Sequence, residues 1–265
     1  MPKLSANLGM LFTEVEFPER FERAARAGFD GVEYPSGYDW PADELADRLA
    51  RNGLDQVLLN MPAGDREAGE RGLAAVCGRE AEFSESVGTA LDTAKALSCP
   101  RLHAMAGIVT DEATRGEMEE TYIENLKYAA GACAEAGVKL LIEPINPHDM
   151  PGYFLNSSAQ ALAIIEAVGG DNLYLEYDLY HMRIMGDDLA ATITANLPRI
   201  AHIQIAGVPG RHEPDGGDID TPGLFDLIDG CGYDGWIGCE YHPRGGTEEG
   251  LGWARAYGIG GGGER

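Results

Sequence analysis

The sequence predicts an α/β fold in which eight parallel strands alternate with helices and close into a barrel. Three observations support this prediction: eight short apolar runs recur along the 265 residues, helical patterns separate them, and one such barrel takes about 250 residues. Continuous apolar runs indicate strands that are covered on both faces, as in parallel sheets. We therefore expect one (β/α)8 TIM barrel domain over residues 1–265. A doubly wound open sheet is the weaker alternative, because no glycine-rich dinucleotide loop follows the first strand.

The expected strands are short apolar runs, and the expected helices repeat apolar residues at spacings of three and four. The strands are predicted at residues 4–8, 31–34, 56–60, 101–105, 138–143, 173–178, 201–206 and 236–240. The helices are predicted at residues 18–27, 42–52, 79–97, 117–136, 157–168, 187–197 and 221–231. Gly28 and Gly53 follow two of these helices, which is the usual position of glycine at a helix end.

Two segments fall outside the strand and helix pattern. Residues 61–78 form a long connection after the third strand, and such loops often cover the active site of a barrel. Residues 258–265 are mostly glycine, so we expect a disordered tail.

The chain is strongly acidic, since 20 Lys and Arg residues face 44 Asp and Glu residues, for a net charge of −24. Such a surface repels phosphate, so we expect no nucleic-acid partner and no anionic membrane partner. An anionic substrate would need cationic side chains close by. The five cysteines are scattered without a CxxC spacing, and neither a signal peptide nor an 18-residue apolar run is visible, which favours a cytoplasmic protein.

Polar side chains stand where four successive strands of the second half end. Glu143, Asp178 and Glu240 end the fifth, sixth and eighth strands, and Gln204 lies near the end of the seventh. The active sites of such barrels lie at this face. Each residue alone could be a cap or a loop residue, but carboxylates brought this close raise one another's pKa unless a cation joins them. Four oxygen ligands favour Mg²⁺ or Mn²⁺.

Three further side chains are candidates for substrate binding. His181 follows Asp178 by three residues and could donate a hydrogen bond beside the metal. Arg211 follows the seventh strand and Arg71 lies in the long third loop, where either could bind a carboxylate in a bidentate fork. The alternatives are a structural loop histidine and surface salt bridges. We interpret the remaining histidines as structural or surface residues: His103, His148, His202, His212 and His242.

Several of these segments resemble the hydroxypyruvate isomerase family of xylose isomerase-like barrels. They are residues 140–146 (LLIEPIN), 177–182 (YDLYHM), 202–206 (HIQIA) and 235–241 (GWIGCEY). Residues 5–12, 60–65 and 69–72 also match, so that the likeness runs from about residue 4 to residue 257. His148 and Asp149 depart from the family pattern.

The resemblance implies residue roles beyond those that spacing predicts. It implies that Glu143 and Glu240 are the catalytic acid and base, and that Glu143, Asp178, Gln204 and Glu240 bind a divalent metal. Related epimerases carry a histidine where Gln204 stands. The amide oxygen in this chain shifts the preference from Zn²⁺ toward Mg²⁺ or Mn²⁺.

The expected activity is the interconversion of hydroxypyruvate and tartronate semialdehyde (2-hydroxy-3-oxopropanoate) by metal-assisted proton transfer through an enediolate. The expected partner is thus a small anionic hydroxy-keto acid, and a homo-oligomer is left open. A 2-oxo-tetronate isomerase and a keto-sugar epimerase are the alternatives within the superfamily. A non-catalytic metabolite-binding barrel is disfavoured by the carboxylate cluster. An abasic-site endonuclease is disfavoured by the acidic charge and the scattered histidines.

Overall fold

The computed structural model describes residues 1–110 and 112–261. Its eight strands are parallel and form a closed barrel in chain order. They are β1 (Lys3–Asn7), β2 (Gly31–Tyr34), β3 (Asp55–Asn60), β4 (Arg101–His103), β5 (Lys139–Ile142), β6 (Leu173–Asp178), β7 (Ile200–Ile205) and β8 (Trp236–Cys239). The first strand pairs with the last, with Lys3 opposite Trp236. The predicted (β/α)8 barrel is confirmed, and the open-sheet alternative is wrong.

The helices surround the barrel, and the seven predicted helices lie within two residues of their expected ends. The nine α-helices are α1 (Phe17–Ala27), α2 (Ala42–Asn52), α3 (Glu80–Ala96), α4 (Arg115–Glu135), α5 (Ser158–Val168), α6 (Leu179–Ile184), α7 (Leu189–Asn196), α8 (Thr221–Gly230) and α9 (Thr247–Gly250) within the described ranges. Two 3₁₀ helices span Leu197–Arg199 and Leu251–Tyr257. The sequence patterns missed α6, α9 and both 3₁₀ helices, which are too short to show a helical period.

Local signals explain where the longer helices begin and end. Helix α4 starts with a capping box, in which the Thr114 side chain accepts from the Glu117 backbone and the Glu117 carboxylate accepts in return. Helix α1 stops at Gly28, whose φ of 100° is open to glycine at little cost. Among residues 1–110 and 112–261, no helix combines the length and apolarity needed to cross a membrane.

The barrel interior divides into an apolar floor and a polar upper part. Val57, Leu58, Leu141 and Ala201 form a small apolar cluster of their own. Above this floor the inward positions are polar, and alternate residues of one strand share the inward face. Most such barrels fill these layers with branched apolar side chains, so the polar interior of this barrel marks a specialised region.

The first residues of the glycine-rich tail, for which we predicted disorder, make specific contacts in the structure. Gly258 ends the last 3₁₀ helix with a φ of 88°, and Ile259 is buried. The Gly260 backbone N–H donates to the Ala27 carbonyl over 2.7 Å. Residues 258–260 thereby pack against the end of α1, which the glycine-rich composition did not reveal. Residues 262–265 of the predicted tail lie outside the described residues.

Candidate active site

The strand ends of the second half of the barrel bring the predicted carboxylates together. Glu143 directly follows β5, Asp178 is the last residue of β6, and Glu240 directly follows β8. Asp178 also begins α6, since its Oδ1 accepts from the Tyr180 backbone N–H at 2.8 Å. The strand end and the short helix together therefore fix the Asp178 carboxylate.

A chain of short contacts connects these acids at the mouth of the barrel. His181 Nε2 lies 3.8 Å from Glu143 Oε1 and 3.5 Å from Asp178 Oδ2. Arg211 Nη2 lies 3.2 Å from Asp178 Oδ2 and donates to Glu240 Oε2 at 2.7 Å. Three acids, one imidazole and one guanidinium thus form a continuous cluster.

The cluster opens into a cavity of about 240 Å³ whose wall includes Glu143, His181, Arg211 and Glu240. Asp178 is 1% exposed and lies behind this wall. A cavity of this size is small for a ligand pocket, and it suits a compact molecule rather than a nucleotide or an oligosaccharide.

Two arginines of the third loop line the same cavity. The predicted Arg71 donates from Nη1 to the Glu70 carbonyl at 2.6 Å and lies on the wall with Arg66. The long loop predicted at residues 61–78 contributes further to this wall, because Met61, Pro62 and Ala63 also line the cavity. Sequence reasoning missed Arg66, since nothing in its local pattern separates it from the other charged loop residues.

The electrostatics of the mouth raise the pKa of two of its carboxyls, those of Glu143 and Glu240. Burial, with further contributions from Glu240 and Asp178, raises the pKa of Glu143 well above its ordinary value. Burial raises the pKa of Glu240 to about 8, although Arg211 works to lower it. Like charges that share a buried site cannot all ionise without compensation. A bound cation would supply that compensation.

Gln204 lies opposite Asp178 in the pairing of β6 and β7. Its Nε2 donates to Glu33 Oε1 at 2.9 Å, while its Oε1 is buried without a hydrogen-bond partner in the described part of the chain. A void of about 20 Å³ borders Gln204, Glu143 and Glu240. Such a void holds one water molecule or one ion.

The donor set fits a hard divalent cation. Glu143 Oε1 and Gln204 Oε1 are buried oxygens that lack a hydrogen-bond partner among the described residues. Unpartnered buried oxygens are costly, and a cation satisfies them. Two further groups of candidate ligand atoms lie within 4.8 Å of one another: Glu143, Asp178 and His181, and His103, Glu143 and Glu176.

A further buried acid, Glu33 on β2, has both of its carboxylate oxygens bound by neighbouring side chains. Its carboxylate accepts from Ser5 Oγ at 2.9 Å, from Asn7 Nδ2 at 3.3 Å and from Gln204 Nε2 at 2.9 Å. It also lies 2.8 Å from His202 Nε2. Although burial works to raise it, His202 and the hydrogen bonds lower the pKa of Glu33. This network links β1, β2 and β7 inside the barrel.

Two buried residues of the site escaped sequence reasoning. Glu176 precedes Asp178 by two residues on β6 and therefore shares its inward face. His103, which we interpreted as structural, lies with Nδ1 at 3.5 Å from Glu176 Oε2 and 3.7 Å from Glu143 Oε2. Burial raises the pKa of Glu176 well above its ordinary value and lowers the pKa of His103 to about 3. Strand alternation was the available signal for Glu176.

The other histidines lie apart from the acid cluster. His202 is buried inside the barrel and pairs with Glu33, whereas His148 and His242 are exposed. His212 lies with Nδ1 at 2.8 Å from the His242 carbonyl oxygen. None of these four lies within 4.0 Å of Glu143, Asp178 or Glu240 among the recorded ion pairs of the described residues.

An eight-stranded barrel with an acid cluster at the carboxyl ends of its strands defines a class, the xylose isomerase-like TIM barrels. The model of that family matches residues 21–257 of this chain. The chain is 50% identical to the 2-oxo-tetronate isomerase of Cupriavidus necator, over 97% of this chain and 99% of that protein. It is 44% identical to the hydroxypyruvate isomerase of Escherichia coli, over 97% and 100%.

Solved structures agree with this relationship. A crystal structure from Brucella melitensis, described as an AP endonuclease of family 2, has a TM-score of 0.95 and 49% identity over 97% of this chain and 99% of that one. The apo form of a 3-keto-D-glucoside 4-epimerase from E. coli has a TM-score of 0.80 over 97% and 100%, but its 19% identity shows a common fold alone. The chain belongs to the hydroxypyruvate isomerase family, as the sequence motifs indicated, and it is an isomerase.

Proposed function

We propose that this isomerase interconverts hydroxypyruvate and tartronate semialdehyde. One observation carries the proposal: Glu143 and Glu240, two carboxyls with raised pKa, face one small cavity that also contains Arg71 and Arg211. A carboxyl whose pKa lies near neutral pH can both accept and return a proton. The arginines supply the cationic wall that an anionic substrate needs in a chain of net charge −24.

We assign the divalent metal to Glu143, Asp178, Gln204 and Glu240, with Mg²⁺ or Mn²⁺ as the ion. The all-oxygen donor set and the small void beside three of these residues support the assignment. When bound, the ion acts as a Lewis acid for the negative charge that develops on the substrate oxygens.

The two glutamates would move the proton between neighbouring carbon atoms. One carboxylate removes a proton from C3 of hydroxypyruvate, and the electron pair forms the C2–C3 double bond of an enediolate. A proton then passes from the oxygen at C3 to the oxygen at C2, and the second carboxyl delivers a proton to C2. Atoms and charge balance, because the product is an isomer. Either glutamate can act first, since the reaction runs in both directions.

The remaining residues of the cavity would orient the substrate. Arg71 and Arg211 offer planar guanidinium groups for its carboxylate, and bidentate binding of this kind fixes orientation as well as charge. His181 faces the acid cluster through Nε2 and would donate to a substrate oxygen. Correct placement of the reacting atoms contributes strongly to the rate.

A second candidate substrate is a 2-oxo-tetronate, which has one more carbon. The 50% identity to the Cupriavidus necator enzyme favours it, and Arg66 and Arg71 both line the cavity that would receive it. A keto-sugar epimerase receives less support, because the compared epimerases share 18–24% identity with this chain. The acidic charge opposes a nucleic-acid substrate despite the description of the Brucella structure.

The free thiols support a place in the cytoplasm. All five cysteines lie in the described ranges, and none of them forms a disulfide. Reduced thiols are the rule in the cytosol.

Proton exchange at carbon tests the function directly. The protein with Mn²⁺ is incubated in heavy water with hydroxypyruvate or with 2-oxo-tetronate, and NMR follows deuterium incorporation and product formation. We expect exchange at the carbons beside the carbonyl group, and the larger kcat/KM identifies the substrate.

The same assay compares two variants. Glu240→Gln should lose the exchange activity, and Glu119→Gln, on the exposed face of α4, is the matched control that should keep it. If the protein catalyses exchange with neither hydroxypyruvate nor 2-oxo-tetronate, the proposal is rejected.

A further inference from the structure

Asn146, three residues after Glu143, is a fully buried amide that the proposed mechanism does not use. Its Oδ1 accepts from the backbone N–H of His148 at 3.0 Å and of Asp149 at 2.9 Å. Its own carbonyl accepts from the Met150 N–H at 3.1 Å. Asn146 therefore closes the tight turn that follows β5.

These two backbone bonds determine which way the amide faces. If the amide were inverted, its NH₂ group would point at the backbone N–H groups of His148 and Asp149. Donor would then face donor, and neither the NH₂ group nor the two N–H groups would have an acceptor. The Oδ1 atom must therefore face the turn. The Nδ2 atom must face the opposite side, where it lies 2.6 Å from His181 Nδ1.

The amide in turn determines where the imidazole of His181 carries its proton. An amide nitrogen is a donor without acceptor capacity, so His181 Nδ1 must accept with its lone pair. A proton on Nδ1, in the other tautomer or in the imidazolium, would place N–H against N–H. The ring proton is therefore on Nε2, the atom that faces Glu143 and Asp178.

We propose that Asn146 is a positioning residue that holds His181 as the neutral Nε2–H tautomer, so that His181 donates a hydrogen bond into the cavity and does not ligate a metal. The donor function toward a substrate oxygen rests on the proposed isomerase activity. The tautomer itself rests on the hydrogen bonds of Asn146 alone. A neutral donor of this kind stabilises a developing oxyanion without adding a net charge to the cluster.

The position of the His181 proton determines which side chains of the site can bind a metal. Glu143, Asp178 and His181 place ligand atoms within 4.8 Å of one another, as a metal site would. Metal ligation by Nε2 needs a lone pair on that atom. Because Asn146 keeps the proton there, the metal is left to the oxygen donors, and His181 is reserved for substrate.

Nitrogen NMR of histidine-labelled protein tests the tautomer. The spectra are recorded at neutral pH with chelator and again with Mg²⁺, and the His181 signals are assigned by their loss in His181→Gln. We expect an unprotonated Nδ1 and a protonated Nε2 in both samples. A protonated Nδ1 or a Mg²⁺-ligated Nε2 in the wild-type protein would overturn the proposal, whatever the activity.

Asn146→Asp tests the role of the amide while it keeps the turn, since a carboxylate still accepts from the two backbone N–H groups. The aspartate accepts from Nδ1, so we expect the proton to appear there and kcat to fall roughly 10- to 100-fold. Asn146→Ser, which retains a turn-forming hydroxyl, should lose the bond to His181 and give a mixture of tautomers. Gln160→Glu on α5 is the matched amide-to-carboxylate control.

The outcomes distinguish this proposal from the isomerase function. A wild-type His181 spectrum that persists in Asn146→Asp would reject the role of Asn146. An Nε2–H tautomer in a protein that exchanges no carbon-bound hydrogen would support the positioning role and reject the proposed substrates.

Discussion

Two groups of buried acids lie within the same barrel, and they differ in how their oxygens are satisfied. Glu33, in the barrel interior, has partners on β1 and β7, and its pKa is lowered. Glu143, on the wall of the mouth cavity, and Glu176, two residues before the end of β6, each retain a buried oxygen without a hydrogen-bond partner in the described residues, and the pKa of each is raised. Burial is similar in the two regions, so the neighbouring groups make the difference. His202 and the hydrogen bonds lower the pKa of Glu33, whereas nearby carboxylates add to the effect of burial at Glu143 and Glu176.

The comparison indicates a structural role for Glu33 and a ligand-binding role for the acids with unpaired oxygens. A fully paired carboxylate joins strands and resists change, whereas unpaired oxygens retain the capacity to bind something from outside. Gln204 belongs to both regions, because its Nε2 is bound to Glu33 and its side chain borders the small void beside Glu143 and Glu240. The interior network thus orients a side chain that borders this void.

The largest effect is expected at the mouth, in Glu240→Gln. The amide cannot exchange a proton with substrate, so we expect kcat to fall by about 10³-fold or more while the protein stays folded. Circular dichroism checks the fold, and the exchange assay checks the rate. Near-normal turnover would contradict a catalytic role for Glu240. It would then be a structural acid like Glu33.

The next effect, on stability, compares Glu33→Gln with Glu176→Gln. An amide at position 33 faces several donors with its own NH₂ group, so we expect the free energy of unfolding to drop by about 3 kcal/mol. An amide at position 176 replaces a carboxyl that burial already keeps protonated, and we expect a loss below about 1 kcal/mol. Urea titration in the presence of chelator measures both. An equal loss of unfolding free energy in the two variants would contradict the difference between Glu33 and Glu176.

Glu33→Gln should also weaken metal binding, because the amide at position 33 keeps one oxygen for which Gln204 must compete with the Ser5, Asn7 and His202 side chains. A roughly 10-fold rise in Kd for Mn²⁺ is expected from the loss of such a partner. Calorimetric titration measures Kd, and Ser86→Ala, a buried hydroxyl on α3 remote from the mouth, serves as a control for general destabilisation. An unchanged Kd in Glu33→Gln would show that the interior network does not support the site.

The cationic wall of the mouth is tested by Arg71→Ala. Loss of one charge-assisted contact to the substrate carboxylate should raise KM about 10- to 100-fold with a smaller change in kcat. Arg51→Ala, an exposed arginine on α2 that pairs with Asp47, should leave KM unchanged. A KM that stays constant in Arg71→Ala would assign the substrate carboxylate to Arg66 or Arg211.

The smallest effect is a pH dependence of stability. The folded pKa of Glu240, about 8, exceeds the unfolded value of about 4.3, so the metal-free folded state binds more protons between these limits. This contribution is fully present below about pH 4 and is lost as the pH rises to about 8. Metal binding needs the ionised carboxylate, so Mn²⁺ should raise Tm by about 2–4 °C more at pH 8.5 than at pH 6.

Glu240→Gln supplies the matched control for this pH dependence, because the amide does not titrate. Differential scanning fluorimetry with and without Mn²⁺ should show a weaker pH dependence in the variant than in the wild-type protein. A shift by Mn²⁺ that is the same at both pH values in the wild type would contradict the raised pKa.

The sequence by itself determined the alternation of strands and helices and the register of residues at the strand ends. Apolar periodicity and terminal glycines are local properties, and every chain segment carries them before it folds. Glu143, Asp178 and Glu240 could be singled out for the same reason, since equivalent positions in a parallel barrel meet at one face.

The tertiary structure alone decided which side chains meet. The pairing of Glu33 with His202 spans 169 residues, and the pairing of Asn146 with His181 joins the turn after β5 to helix α6. The burial of Ile259 depends on α1 at the other end of the chain. These contacts follow from barrel closure, which sets distances between residues that no local pattern relates, and closure also decides which buried oxygens are paired and which remain available for a ligand.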